Sequence, residues 1–330
     1  MQIGAQVLHN LLFQRPIEFE VEELLAARLS LVREGIWPLA LERFLESGGK
    51  LPPSAKSELM EAAAWPLRCL AELREIESAC QASGIPILVF KGSALAFSTY
   101  PKPVQRSFGD IDLAVPRHYR SEFEAILEGL GFRLPADDTL AVRNQLILDL
   151  HDHPLNQMAN LVGGIPERWW EVSEPLHVST GQVLRLPHEL EFVLSLFHGA
   201  KHAYSRANWI VDVAVQCQRE SEKLAQTVKQ FGAQHHLWMA QQCLREWYQL
   251  ELPPALKAQA VAPGWMDFWS SALLRRVLER RAPDFLGMLT PLWLLPGIRA
   301  KLAYLWPVVF PPGRGLWERI GYFWSRLRER

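Results

Sequence analysis

Ile85-Pro-Ile-Leu-Val-Phe-Lys91-Gly92-Ser93 and, after a spacer, Arg106-Ser-Phe-Gly-Asp110-Ile-Asp112-Leu-Ala-Val115 decide how the rest of the chain is read. Ile85 to Phe90 is an apolar run of strand length that ends on a lysine, a glycine and a serine. Asp110 to Val115 predicts a second strand. Alternate residues of a strand share a face, so Asp110 and Asp112 project together while Ile111, Leu113 and Val115 enter a core. Neighbouring carboxylates repel unless a cation lies between them. A hard divalent ion, Mg²⁺ or Mn²⁺, held by carboxylates and substrate phosphates, meets that need. Lys91 to Tyr100 predicts a helix whose first turn carries Gly92 and Ser93. Free N–H groups there, a glycine permitting close approach and a nearby lysine suit a phosphate.

A third carboxylate follows in Leu146-Ile-Leu-Asp149-Leu-His151. The period of two puts Asp149, His151 and His153 on one face and Leu146, Leu148 and Leu150 on the other. If this strand lies beside Asp110–Val115, Asp149 joins the other two acids. Asp152 is out of phase and ranks below it. Gly92 reads as a turn glycine or as a phosphate approach. Ser93 reads as a helix N-cap or as a phosphate ligand, which are the same place. Lys91 is a surface lysine or a phosphate contact. Arg106 either neutralises Asp110 or touches a phosphate. His151 can ligate a metal, shuttle a proton or hydrogen-bond a carboxylate.

Lys91-Gly92-Ser93 followed by Arg106 and Gly109-Asp-Ile-Asp-Leu113 resembles the polymerase-β-type nucleotidyltransferase superfamily, and more closely its uncharacterised nucleotidyltransferase family of bacteria. The similarity runs from about Leu67 to His151 and, more weakly, through His198, His202 and Asp212. The spacer from Ser93 to Asp110 is longer than the superfamily's usual pattern. The resemblance implies transfer of a nucleoside monophosphate from an NTP to a hydroxyl acceptor, with Asp110, Asp112 and Asp149 holding the metal. It also implies that Asp149 helps activate the nucleophile, and that Lys91, Gly92, Ser93, Arg106 and His151 serve the nucleotide. The competing class is a catalytically silent nucleotide-binding or protein-interaction module.

The fold expected is α+β, a small mixed sheet over 84–186 between helical regions over 1–83 and 187–330. Apolar spacing predicts helices within Glu18–Glu46 and over Ser54–Ser83, the latter broken or kinked before Pro66. Tyr119–Leu130, Glu189–His202, Trp209–Cys217, Ser221–Phe231 and Gln234–Leu250 follow, then Trp265–Arg280, Gly297–Leu305 and Trp317–Leu327. His198 and His202 share a helix face and read as the lining of a polar cleft. Gly199 stands where a metalloprotease helix carries its acid. Asp212 interrupts an apolar helix as a buried anchor or a cleft residue.

Bulk properties narrow the partners. The 330 residues are 49% hydrophobic with 13 tryptophans, which permits a large core. The formal charge of −1 supplies no field to attract long nucleic acid. The four cysteines have no metal-type spacing and read as reduced core thiols of a cytoplasmic protein. Met1 to Glu20 lacks the basic start and apolar block of a signal peptide. No window reaches the roughly 18–20 apolar residues of a spanning helix. The aromatic and basic stretch within 297–330 either docks on its own core or meets a membrane surface or a partner protein.

Overall fold

The computed structural model describes residues 2–134, 139–151, 154, 169–178, 181, 183–263, 294, 295 and 301. The helices expected over 265–280, 297–305 and 317–327 fall outside these residues, apart from Lys301. The chain divides into two compact units. The first comprises residues 1–156, 166–191 and 206–216, and the second residues 157–165, 192–205 and 217–330.

The first unit opens with helices α1 (Gln2–Phe13), α2 (Val21–Ala26), α3 (Arg28–Arg33), α4 (Trp37–Glu46) and α5 (Pro53–Cys80). α5 runs through Pro66 without the break that was one of the two expectations there. Cys69, Leu73, Ile76 and Cys80 recur at helical spacing along it and are fully buried. Gly84, at φ +63°, turns the chain out of the helix end, as its position predicts. Strand β1 (Ile87–Phe90), helix α6 (Lys91–Ser98), strand β2 (Ile111–Ala114), helix α7 (Arg120–Gly129) and strands β3 (Leu140–Arg143) and β4 (Leu146–His151) follow. A short helix α8 (Trp169–Val172) and strands β5 (Glu174–Pro175) and β6 (Val183–Arg185) complete an α+β unit with a mixed six-stranded sheet of order β3-β4-β2-β1-β6-β5.

The sheet explains the alternation read in the sequence. β2 lies parallel to β4 and antiparallel to β1. Ile111 and Leu113 of β2 and Leu148 and Leu150 of β4 join the α5 stripe in one apolar cluster. Burying each such side chain stabilises the fold by roughly 1.5–3 kcal/mol relative to exposure. Asp112, Asp149 and His151, at the intervening positions, are left for the opposite face. The β3–β4 hairpin was not anticipated. It turns at Asn144, which takes the left-handed φ of +54° that asparagine tolerates. Arg143 pins it by pairing with Glu72 and Glu75 of α5 and stacking 4.5 Å over Phe132.

Helices α9 (His188–Lys201) and α10 (Ala207–Gln216) come next. The first turn of α9 and all of α10 belong to the first unit. Buried Glu34 receives the Ala207 N–H on its carboxylate at 2.9 Å and the Asn208 N–H on its carbonyl at 3.1 Å. It therefore satisfies orphan donors at the start of α10.

The second unit holds the rest of α9 with α11 (Ser221–Gln230), α12 (Gln234–Tyr248) and α13 (Pro254–Lys257). The last three pack on one another. Gly199 has a packing reason, because a Cβ there would lie 2.2 Å from the ring of Tyr204. His198 and His202 bring their rings to 4.8 Å. No helix among the described residues is long and apolar enough to cross a membrane.

Candidate active site

Asp112 and Asp149 are register partners on the adjacent strands β2 and β4. His151, two residues beyond Asp149, returns to the same face. Its Nε2 is 2.9 Å from Asp112 Oδ1 and 3.0 Å from Asp149 Oδ2. Thr139 donates to the other Asp149 oxygen at 2.9 Å. The Lys91 ammonium pairs with Asp112 Oδ1 and lies 3.5 Å from His151 Nε2. The Lys91 ammonium and the His151 imidazole thus face two carboxylates, of which Asp112 is only 7% exposed.

The titration behaviour follows from this geometry. Burial works against the His151 imidazolium, but hydrogen bonds to Asp112 and Asp149 outweigh it and hold the pKa above its ordinary value. Burial would raise Asp149, yet the His151 and Thr139 hydrogen bonds carry it below the usual carboxylate range. Asp110 sits just ahead of β2 and solvent reaches it. The surrounding protein still strips part of its hydration, and the Asp112 charge adds to that, so its pKa is raised.

Among the described residues, Asp112, Asp149 and His151 form a group whose ligand atoms all lie within 4.8 Å of one another. Asp110, expected as a third ligand, is not in that group, which His151 completes. Two carboxylates, an imidazole and a third carboxylate at the mouth fit a hard divalent cation. Asp152 and His153 lie outside the described residues. His198 and His202, assigned to the second unit, gather no third ligand among the described residues.

The β1–α6 turn stands beside the acids, since Phe90 is the register partner of Asp112. Lys91 takes a left-handed φ of +57°. That conformation costs a non-glycine residue roughly 1–2 kcal/mol, and here it accompanies the ion pair to Asp112. The N-cap position is Phe90 rather than Ser93, and no side chain caps α6. Ser93 is buried and turns its hydroxyl toward the Phe90 carbonyl at 3.4 Å. Gly92 is needed for close packing, because a Cβ would come 3.2 Å from the Phe108 Cβ and 3.3 Å from an Arg106 guanidinium nitrogen.

Arg106 does not face the metal-type group. Its Nε and Nη2 bind the two Asp212 oxygens at 2.6 and 2.8 Å, and Nη1 donates to the Ser107 carbonyl. Tyr100 adds its hydroxyl to Asp212 at 2.7 Å. Asp212 is therefore a buried anchor, and Arg106 reaches the turn only by packing against Gly92.

Sequence reasoning missed Glu191. It lies in the first turn of α9 and is 1% exposed; the Lys91 N–H approaches its carboxylate, but neither oxygen completes a hydrogen bond of full geometry. Burial pushes its pKa up to about 8, against the opposing pull of the nearby Lys91 N–H and the Arg185 charge.

A family model described as an uncharacterised nucleotidyltransferase matches residues 19–249, which include every residue of this site. No curated protein and no solved structure matches the chain.

Proposed function

Because the chain belongs to the uncharacterised nucleotidyltransferase family, we propose that it transfers a nucleoside monophosphate from an NTP to a hydroxyl acceptor and releases pyrophosphate. The observation that carries this reading is the in-register pairing of Asp112 with Asp149 beside the β1–α6 turn. Asp112 and Asp149, with His151 beside them and Asp110 at the mouth, are the residues that would hold Mg²⁺ or Mn²⁺. Such an ion neutralises triphosphate charge and polarises the α-phosphoryl group when bound.

The protein's own groups supply the remainder. The uncapped N-terminal turn of α6 takes the triphosphate on the Gly92 and Ser93 N–H groups, and Lys91 moves from Asp112 to a phosphate oxygen. Ser93 acts through its backbone, since its hydroxyl is turned inward. Arg106 supports the turn from below. Asp149, ionised at neutral pH, accepts the acceptor's hydroxyl proton as the new O–P bond forms. The bond to pyrophosphate breaks, and pyrophosphate leaves with its electron pair. Residues 84–186 carry this chemistry, with 1–83 as a helical brace.

Calorimetric titration of each of the four NTPs with and without Mg²⁺ tests the reading. Mg²⁺-dependent binding of at least one NTP, lost in Asp110→Asn/Asp112→Asn, is expected. Failure of all four to bind would leave the silent interaction module as the better description.

A further inference from the structure

A buried carboxyl whose oxygens complete no hydrogen bond of full geometry is costly, and a leucine of similar bulk would avoid that cost. Glu191 is nevertheless placed beside the backbone of Lys91, the strained residue at the entrance to α6. The first N–H groups of a helix have no acceptor within it. Those of Gly92 and Ser93 meet no side-chain acceptor among the described residues. The charged groups that face Glu191 are Arg185 of β6, Asp112 of β2 and Asp212 of α10. The Arg185 guanidinium is already engaged by Glu174 and the Leu186 carbonyl. The remaining polar neighbour to which Glu191 is directed is the Lys91 N–H.

We propose that Glu191 is a positioning residue of the nucleotide site, whose carboxyl holds the left-handed Lys91 peptide and so leaves the Gly92 and Ser93 N–H groups for the triphosphate. The inference rests on the triphosphate reading of that turn. A protonated carboxyl suits the role, because its carbonyl oxygen accepts the N–H without adding negative charge behind bound phosphates. Ionisation of Glu191 weakens nucleotide binding by repulsion.

The test uses the full chain as wild type, Glu191→Gln and Glu191→Met. In nucleotide-free protein labelled with ¹⁵N-lysine, Glu191→Met shifts the Lys91 amide upfield and speeds its hydrogen exchange about tenfold, the equivalent of one lost hydrogen bond. Glu191→Gln keeps both near wild type. In calorimetry with Mg²⁺ and the NTP that binds, Glu191→Met loses about tenfold in affinity on the same grounds. Wild type loses affinity as pH is raised through about 8, and Glu191→Gln does not. An unmoved Lys91 amide in Glu191→Met overturns the proposal. If that variant does not fold, a Glu191→Gln protein that weakens with pH as wild type does also overturns it. A wild type that binds no NTP while the amide responds as expected overturns the nucleotide reading and, with it, the role assigned to Glu191, leaving only the contact.

Discussion

Asp112 and Asp149 face each other in register across β2 and β4, close enough for one imidazole nitrogen of His151 to serve both. That nitrogen must carry a proton to do so, and the two acceptors hold the imidazolium. Asp149→Asn is expected to lower the His151 pKa in metal-free protein, read from the pH titration of its ring protons. The folded value is raised, so the stability that His151 contributes is complete below about 6.5, its unfolded pKa. It is lost as pH rises through the folded value, and Asp149→Asn narrows that window. A His151 titration unchanged in Asp149→Asn would show that Asp112 alone holds it.

Lys91→Met removes the ammonium that sits on Asp112. In the absence of nucleotide the acids lose a competitor for a divalent cation, so Mn²⁺ alone binds several-fold more tightly, about 1 kcal/mol for a partly buried charge pair. NTP affinity moves the other way, because the lysine is lost to the phosphate. Water-proton relaxation of Mn²⁺ and NTP calorimetry read the two effects separately. A parallel loss of both affinities contradicts this account of the lysine.

The Arg106–Asp212 pair is buried on both sides and bidentate. Removing one partner strands a charge, so Arg106→Met or Asp212→Leu alone costs about 3–5 kcal/mol of stability. The double variant Arg106→Met/Asp212→Leu recovers most of it, since no unpaired charge remains. Urea midpoints at constant slope measure this cycle. Tyr100 keeps a residual penalty in the double variant because its hydroxyl loses the Asp212 acceptor.

The parts of this protein legible from sequence are those fixed by local periodicity. Asp112, Asp149 and His151 could be placed on one face because their strands alternate with Ile111, Leu113, Leu148 and Leu150, and a period of two leaves no other arrangement. Arg106 was harder. It precedes two acids in sequence, yet its partner Asp212 lies 106 positions away, and no local pattern encodes that pairing. Glu191 gave a misleading signal, since an acid in the first turn of a helix ordinarily complements the dipole in solvent. The β3–β4 hairpin lacked a glycine turn, and its clamp through Arg143 to α5 is again a long-range contact. Pro66 shows the converse. The local rule predicts a break, and the buried stripe around it carries α5 through.

His236 gives the second unit a pH dependence unrelated to the site. It is fully buried on α12 with its ring edge-on to Phe197, 4.4 Å between centroids. Among the described residues neither ring nitrogen has a hydrogen-bond partner. Burial, with a small addition from the His235 charge, depresses its pKa to about 3. Below its ordinary value of about 6.5 the unfolded chain binds a proton that the folded chain refuses, so folding stability falls as pH falls. The slope from this one residue approaches about 1.4 kcal/mol per pH unit until the folded group itself titrates. His236→Phe removes the proton-binding difference and keeps an aromatic ring against Phe197. Its urea-derived stability is expected to decline less steeply than wild type between about pH 6 and pH 4, the interval that the two pKa values bracket. Equal slopes for the two proteins would show that His236 finds a proton acceptor in the folded state.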